Sequence, residues 1–335
     1  MKGCPLHCVW CHNPESWLEG PQKLFKAGKC IGCLSCVDVC PQGLDPRSAL
    51  GTSAPGNRAL RRAEALLFGP QASKCLLDSP HDLGIVRGGT LQGGVGSADV
   101  SGDTQSLSRP ADNCLLCGKC VEECPTCALE MCGKEYDMDS LMAEVEKERQ
   151  IMEDSGGGVT ICGGEPLMHP SYLLELLKEL GRRGFHRTVD TTLFASESTV
   201  KEVAQNCELF LIDIKHMDPE KHKFYTGQSN ELILSNIRMV TDLGADYFIR
   251  IPLIDGVNSD EDNIEATAIF LESLKGWGRR TVNLLPYHDI GKGKHERMRT
   301  TYNPDGLQMS TPSEETQQRC IAQFEAHGIK AIIGG

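Results

Sequence analysis

The sequence of 335 residues predicts an α/β fold, a parallel sheet or barrel, carrying an inserted cysteine-rich α+β segment. Three observations predict it. Apolar runs alternate with helical stretches from Tyr136 to the end of the chain. Polar residues with chemistry sit at the carboxyl ends of those runs. Most of the 17 cysteines fall in three groups of fixed spacing, all before residue 125.

The alternation comes first. Strands are expected at 158–162, 188–192, 209–215, 247–253 and 282–286. Helices are expected at 138–152, 172–181, 197–205, 229–243, 260–274 and 314–327. Segments 138–152 and the others use good helix formers with an apolar stripe, whereas the strands are short β-branched or aromatic runs. Strand and helix alternating over this length argue for a parallel sheet or barrel.

The strand ends carry the second observation. Gly163-Gly164-Glu165-Pro166 follows the first of these strands, and Asp190 lies near the end of the next. Asp213 and Lys215 close the third, Arg250 lies within the fourth, and His288 follows the last. In parallel barrels the reacting groups gather at the carboxyl ends of strands. Singly, each residue has an ordinary reading: a turn cap, a solvated lysine, a surface histidine. Five successive strands marked in this way point to a site.

The third observation opens the chain. Cys4, Cys8 and Cys11 are spaced C-x3-C-x2-C in KGCPLHCVWCHN. Iron–sulfur clusters normally take four thiolates, so three on one loop leave one iron open, as a catalytic metal keeps a position for substrate. Zinc with His12 as fourth ligand is the competing reading, although neighbouring residues rarely ligate one tetrahedral ion together. Cys30, Cys33, Cys36 and Cys40 then follow C-x2-C-x2-C-x3-C-P, and Cys114, Cys117, Cys120 and Cys124 repeat it. This is the bacterial ferredoxin run, in which the fourth cysteine ligates the other cluster. One cluster is therefore assigned Cys30, Cys33, Cys36 and Cys124, and the second Cys114, Cys117, Cys120 and Cys40. Residues 45–110, rich in Gly, Ser, Ala and Pro, have the composition of a flexible excursion, with helical character only at 58–68.

Composition excludes other classes. A net charge of −12 without a basic stripe argues against a nucleic-acid binder. No apolar run is long enough to span a bilayer, and Cys, His and Trp interrupt any secretory signal near the start. So many unexported cysteines are expected to be metal ligands rather than disulfides. The expectation is a cytoplasmic monomer that binds neither membrane nor nucleic acid.

Together these motifs resemble the glycyl-radical enzyme activating enzymes, a branch of the radical S-adenosylmethionine superfamily. The resemblance rests on KGCPLHCVWCHNPES, both ferredoxin runs, GGGVTICGGEPL, DIKHMDPEKH, TGQSNELILSNI, IRIPLIDGVN and LLPYHDIGKGK, and spans residues 1–44 and about 112–335. It implies a partial (β/α)6 TIM-like radical SAM barrel: family members begin with a first strand before the triplet, and with Met1 standing just before it here, either the start is misassigned or that strand is absent. It divides the chain into a cluster loop (1–25), a ferredoxin-like insert (26–135) and the rest of the barrel (136–335).

The resemblance also implies a reaction. Cys4, Cys8 and Cys11 would hold a [4Fe-4S] cluster that binds S-adenosylmethionine and cleaves it reductively to methionine and a 5′-deoxyadenosyl radical. That radical would take hydrogen from a backbone glycine of a partner glycyl-radical enzyme. Trp10, His12, Gly163, Gly164, Glu165, Asp190, Asp213, Lys215, Arg250 and His288 would surround the cofactor. The ferredoxin pair, making three clusters in all, would relay electrons from a flavodoxin, ferredoxin or reductase, or dock the partner. Two other readings remain: a radical enzyme acting on a small molecule or peptide, and a truncated, non-catalytic electron carrier. Cys162, beside the cofactor region, is read as a packing thiol.

Overall fold

The computed structural model describes residues 1–47 and 114–334, so the helical stretch expected at 58–68 lies outside the described residues. Two sheets organise them. β1 (Gln22–Phe25) and β2 (Leu129–Cys132) form an antiparallel pair in which Gln22 faces Cys132 and Phe25 faces Leu129. The second sheet holds β3 (Val159–Ile161), β4 (Arg187–Thr191), β5 (Leu209–Asp213), β6 (Tyr247–Leu253), β7 (Thr281–Pro286) and β8 (Lys330–Ile333). Its order follows the chain, and every neighbouring pair is parallel.

The strands show why this sheet has two different faces. Along β6, Tyr247, Ile249, Ile251 and Leu253 are buried while Phe248, Arg250 and Pro252 are only partly so. The period of two sends the first set into the apolar core and Arg250 to the opposite face. β5 repeats the pattern, burying Phe210 and Ile212 and leaving Asp213 with Arg250, its register partner on β6. The core is closed by helices such as Pro170–Arg182, which contributes Leu173, Leu176, Leu177 and Leu180 at helical spacing. Side-chain caps start several helices: Asp137 accepts from the Ser140 N–H, Ser196 from Thr199, Asp260 from Asn263 and Ser313 from Thr316. Each such cap contributes about 1 kcal/mol.

The elements not anticipated include β1, β2, β8 and the helices Pro219–Thr226 and Gly291–Met298. The helix expected at 138–152 is two, Met138–Lys147 and Arg149–Ser155, broken at Glu148. The break lets Arg149 lie over the Phe185 ring at 4.1 Å while donating to Glu146 and to the Arg183 carbonyl.

Among the described residues no strand precedes Gln22, but the edge of β3 is not bare at its carboxyl end. The Met1 amino group donates to the Cys162 carbonyl (2.5 Å), Gly164 N–H donates to Met1 O (2.9 Å), and Glu165 N–H donates to Gly3 O (2.7 Å). Met1–Gly3 thus runs alongside the GGEP turn.

Candidate active site and cluster cavities

The triplet loop is held from three sides. The GGEP turn fixes its start through Met1–Gly3, and glycine is required for that approach. A Cβ at Gly163, where φ is +145°, would lie 1.9 Å from Met1 O, and one at Gly164 would lie 2.1 Å from Gly3 O. The helix Pro219–Thr226 grips the middle: His7 N–H donates to Thr226 O (2.8 Å), Val9 N–H to Tyr225 O (3.0 Å), and Gln228 Nε2 to Pro5 O (3.3 Å). The helix Gly291–Met298 closes the far side, where Lys294 Nζ donates to Asn13 Oδ1 (2.6 Å) and Glu15 Oε1 (2.5 Å). Gly291 meets Cys11 so closely that a Cβ there would be 2.7 Å from its carbonyl oxygen. Leu6 and Trp10 bury themselves with Ile254, Val257 and Tyr287, which anchors the loop from beneath.

Burial pushes the Cys4 and Cys8 thiols up to about 12 and raises Cys11 too, while the charge of Lys215 favours the thiolate of all three. Metal ligation needs the thiolates; backbone N–H groups ease ionisation of Cys4 and Cys11, and Lys215 is the positive charge that acts on all three.

Behind Lys215 lies a lattice of charge at the strand ends. Arg250 donates through Nη2 to Asp190, and through Nη2 (2.9 Å) and Nε (3.0 Å) to Asp213 Oδ1. Lys215 Nζ donates to Asp213 Oδ2 at 2.9 Å. Burial opposes ionisation of Asp213, but Lys215 and Arg250 outweigh it and hold its carboxyl below the usual range. Asp190 is pushed up to about 6, first by burial and then by the nearby Asp213 charge. Asp213 is therefore the satisfied carboxylate, and Asp190 the one a further cation would stabilise.

Several expected site residues have other tasks. Glu165 is fully buried. Its Oε1 accepts from Leu167 N–H (3.1 Å) and Thr191 Oγ1 (2.7 Å), and its Oε2 from Thr192 N–H (2.8 Å) and Thr192 Oγ1 (2.6 Å). It ties the GGEP turn to the end of β4. Trp10 packs inward, its ring 6.0 Å from Tyr225. Arg250 is occupied by its two aspartates. His12 and His288 do come together, with stacked rings 4.2 Å apart and His12 Nε2 2.9 Å from His288 O. The Cys162 thiol is exposed rather than packed, and the Asp190 charge acts on it.

Sequence reasoning missed the asparagines that brace this site. Asn258 Nδ2 donates to Lys215 O (2.8 Å) and Pro252 O (2.6 Å), and Asn230 Nδ2 to His216 O (2.9 Å) and Met217 O (2.7 Å). Their place in IDGVN and TGQSN was the only signal available.

The ferredoxin runs line two cavities. One of about 360 Å³ is bordered by Cys40, Cys114, Cys117 and Cys120; the other, of about 310 Å³, by Cys30, Cys33, Cys36 and Cys124. Each takes three thiols from one run and the fourth from the other, the exchange expected of a two-cluster ferredoxin. The remaining lining is mostly apolar, including Leu44 and Leu115 in the first and Phe25 and Leu129 in the second. Four thiols facing one apolar space fit an iron–sulfur cluster. β1 borders both cavities along one face: Lys23 lines the first and Phe25 the second. Gln22, on the opposite face, accepts from Lys2 Nζ at 2.8 Å.

Comparison with known proteins agrees with this arrangement. The radical SAM superfamily model matches residues 115–268, and the 4Fe-4S binding domain model matches residues 25–44. The chain is thus a radical S-adenosylmethionine protein with a ferredoxin-type region. It is 34% identical to the trans-4-hydroxy-L-proline dehydratase activating enzyme of Clostridioides difficile, over 100% of this chain and 92% of that protein. It is 31% identical to the choline trimethylamine-lyase activating enzyme of Oleidesulfovibrio alaskensis, over 97% of this chain and 89% of that one. A crystal structure of a domain of pyruvate-formate lyase-activating enzyme from Bacteroides vulgatus aligns with 53% of this chain and 99% of that one, at 51% identity and a TM-score of 0.46. The chain belongs to the glycyl-radical enzyme activating enzymes. It is an enzyme that uses iron–sulfur clusters and S-adenosylmethionine to generate a radical on a glycyl-radical partner.

Proposed function

We propose that Cys4, Cys8 and Cys11 hold the cluster at which S-adenosylmethionine is cleaved, and that the two ferredoxin cavities hold two more. The observation that carries this reading is the Asp190–Arg250–Asp213–Lys215 lattice at the strand ends, whose Lys215 charge also acts on all three triplet thiols. The cluster and S-adenosylmethionine together supply one-electron cleavage of the sulfonium C–S bond.

The chain's own residues arrange that chemistry. Asp190, the lattice carboxylate least stabilised by the cations already present, would receive the methionyl ammonium. Gly163 and Gly164, lacking side chains, let backbone carbonyls and amides approach the same group. Asp213 and Lys215 keep the floor of the site charged but neutral in sum, and Arg250 holds both carboxylates in place. His12 and His288 form a stacked wall beside the third thiol for the adenine. Trp10 and Glu165 position the loop and the GGEP turn.

The finer features belong to the same reading. A flavodoxin, ferredoxin or reductase supplies electrons through the ferredoxin pair. The protein is a cytoplasmic monomer that contacts neither membrane nor nucleic acid; among the described residues no helix is long and apolar enough to cross a membrane. Its working units are the cluster loop (1–25), the ferredoxin-like insert (26–135) and the barrel (136–335).

The test is anaerobic incubation of the reconstituted protein with reductant, S-adenosylmethionine and a candidate glycyl-radical enzyme. The expected result is a glycyl-radical signal on the partner by electron paramagnetic resonance, with 5′-deoxyadenosine formed alongside it. Formation of 5′-deoxyadenosine without any partner radical, across partners of the dehydratase, lyase and decarboxylase types, would refute this reading.

A further inference from the structure

The two ferredoxin cavities are alike in their ligands but not in their connection to the triplet. Lys23 of β1 lines the cavity of Cys40, Cys114, Cys117 and Cys120, and Phe25 lines that of Cys30, Cys33, Cys36 and Cys124. In an extended strand, Phe25 stands about 7 Å beyond Lys23. Exposure does not rank the cavities, because each has an exposed apolar residue after its first thiol, Leu115 at 62% and Ile31 at 69%. What ranks them is where β1 meets the triplet loop.

They meet at the Lys23 end. Gln22 Oε1 accepts from Lys2 Nζ at 2.8 Å, and both side chains are buried. Lys2 is two residues from Cys4, so their backbones lie within about 7 Å of each other. The Lys2 backbone is itself pinned: its carbonyl accepts from His169 Nε2 (2.7 Å), and the N–H of Gly3 donates to Ser16 O (2.8 Å). A buried, fixed run of covalent bonds, interrupted by one hydrogen bond, therefore joins the lining of the first cavity to the first thiol of the triplet. The Phe25 end also touches the barrel, but far from the thiols. Arg299 lies over the Phe25 ring at 5.1 Å, and Arg297 Nη2 donates to Glu130 Oε2 at 3.3 Å. Both arginines belong to the far end of the helix Gly291–Met298, roughly 10 Å along its axis from Gly291, the residue that meets Cys11.

We propose that the cavity of Cys40, Cys114, Cys117 and Cys120 is the inner station of the electron relay, the one that hands the electron to the triplet, and that the cavity of Cys30, Cys33, Cys36 and Cys124 is the outer one. The inference rests on the cluster assignment of the preceding section and gives that assignment an order. One electron from the donor protein enters the relay, and an electron held at the outer site reaches the triplet by way of the inner one. At each transfer one site is oxidised and the next is reduced by the same single electron. Electron transfer weakens steeply with distance and runs better through bonds than across gaps, so the nearer and better connected site makes the delivery.

The experiment locates iron by anomalous scattering in crystals of the full chain, reconstituted anaerobically with iron and sulfide. Three iron centroids are expected, and the one in the inner cavity should lie several ångströms nearer to that of the triplet than the one in the outer cavity does. Equal distances, or a shorter one to the outer cavity, overturn the proposal. A kinetic measurement follows the electron itself. Cys33→Ala keeps the inner cluster and Cys117→Ala the outer one. After rapid mixing with reduced flavodoxin, the electron paramagnetic resonance signal of the triplet, identified by its loss in Cys8→Ala, should rise at least tenfold faster in Cys33→Ala. A triplet reduced as fast with only the outer cluster as with only the inner one overturns the proposal. If either substitution costs both ferredoxin clusters, the iron positions in the unsubstituted protein still decide. If the iron map shows no iron in a ferredoxin cavity, or Cys8→Ala removes no cluster signal, the cluster assignment falls first and this inference falls with it, so the two failures are told apart.

Discussion

Each ferredoxin cavity draws four thiols from two runs some eighty residues apart in sequence and surrounds them mostly with apolar groups, whereas the triplet places three thiols within residues 4–11 and backs them with a charged lattice. The ferredoxin region needs little from the barrel to form its ligand sets. The triplet loop supplies almost none of its own support: the GGEP turn, the helix Pro219–Thr226 and the helix Gly291–Met298 hold it. On the proposed assignment the difference separates a closed site, which would only store or pass an electron, from an open one, which would also bind a charged substrate. A closed ligand set can be self-contained. An open one requires counter-charges from elsewhere in the fold.

The contrast predicts that damage to one site leaves the other intact. Cys8→Ala is expected to abolish S-adenosylmethionine cleavage while two clusters remain by iron and sulfide count. Cleavage at the wild-type rate in that variant would sink the assignment. Gly164→Ala should act almost as strongly without touching a ligand, because its Cβ would lie 2.1 Å from Gly3 O and displace the start of the loop. Iron analysis should then show the triplet cluster depleted and the ferredoxin spectra unchanged.

Asp213→Asn should have the next largest effect. It leaves the Arg250 and Lys215 charges short of a carboxylate in a largely buried site. Breaking a buried pair costs up to about 3–5 kcal/mol, and partial exposure of this one lowers the expectation to about 2 kcal/mol. Denaturant titration of the metal-free protein measures it, and a change within error would mean that the lattice is not a unit.

The smallest effect is a pH dependence. The folded pKa of Asp190 is raised to about 6 from the ordinary carboxyl value of 3.8. Between these values the folded state keeps a proton that the unfolded state has lost, so Asp190 lowers stability as pH rises through that window. Binding of a cation runs the other way, because only the carboxylate attracts it. Affinity for S-adenosylmethionine should therefore increase as pH rises through about 6, and Asp190→Asn should flatten the profile. Asp190 and Asp213 titrate as a pair, so the midpoint belongs to both.

The ligand exchange between the cavities was legible because metal geometry imposes fixed spacing on the chain. The strand-end residues Asp190, Asp213, Lys215 and Arg250 were legible for a similar reason: period-two burial fixes which face each one occupies. Glu165 was not. Nothing in the letters distinguishes a carboxylate facing a ligand from one that accepts four internal hydrogen bonds, here from Leu167, Thr191 and Thr192. The helix Gly291–Met298 was hidden by its glycines, which are poor helix formers; Gly291 is there for the close approach to Cys11. β8 was hidden because only Ala331 of its four residues is buried, which gives no apolar pattern. The β1–β2 pair joins residues more than a hundred positions apart, beyond the reach of any local signal.

That pair has a topological consequence. Gln22 and Cys132 stand opposite one another, and facing residues in an antiparallel ladder lie only about 5 Å apart. At this ladder the two ends of the cysteine-rich region stand side by side, so a two-residue turn would suffice to join Phe25 to Leu129. A chain joined there would keep the register of the parallel sheet, whose six strands all follow Cys132 in sequence.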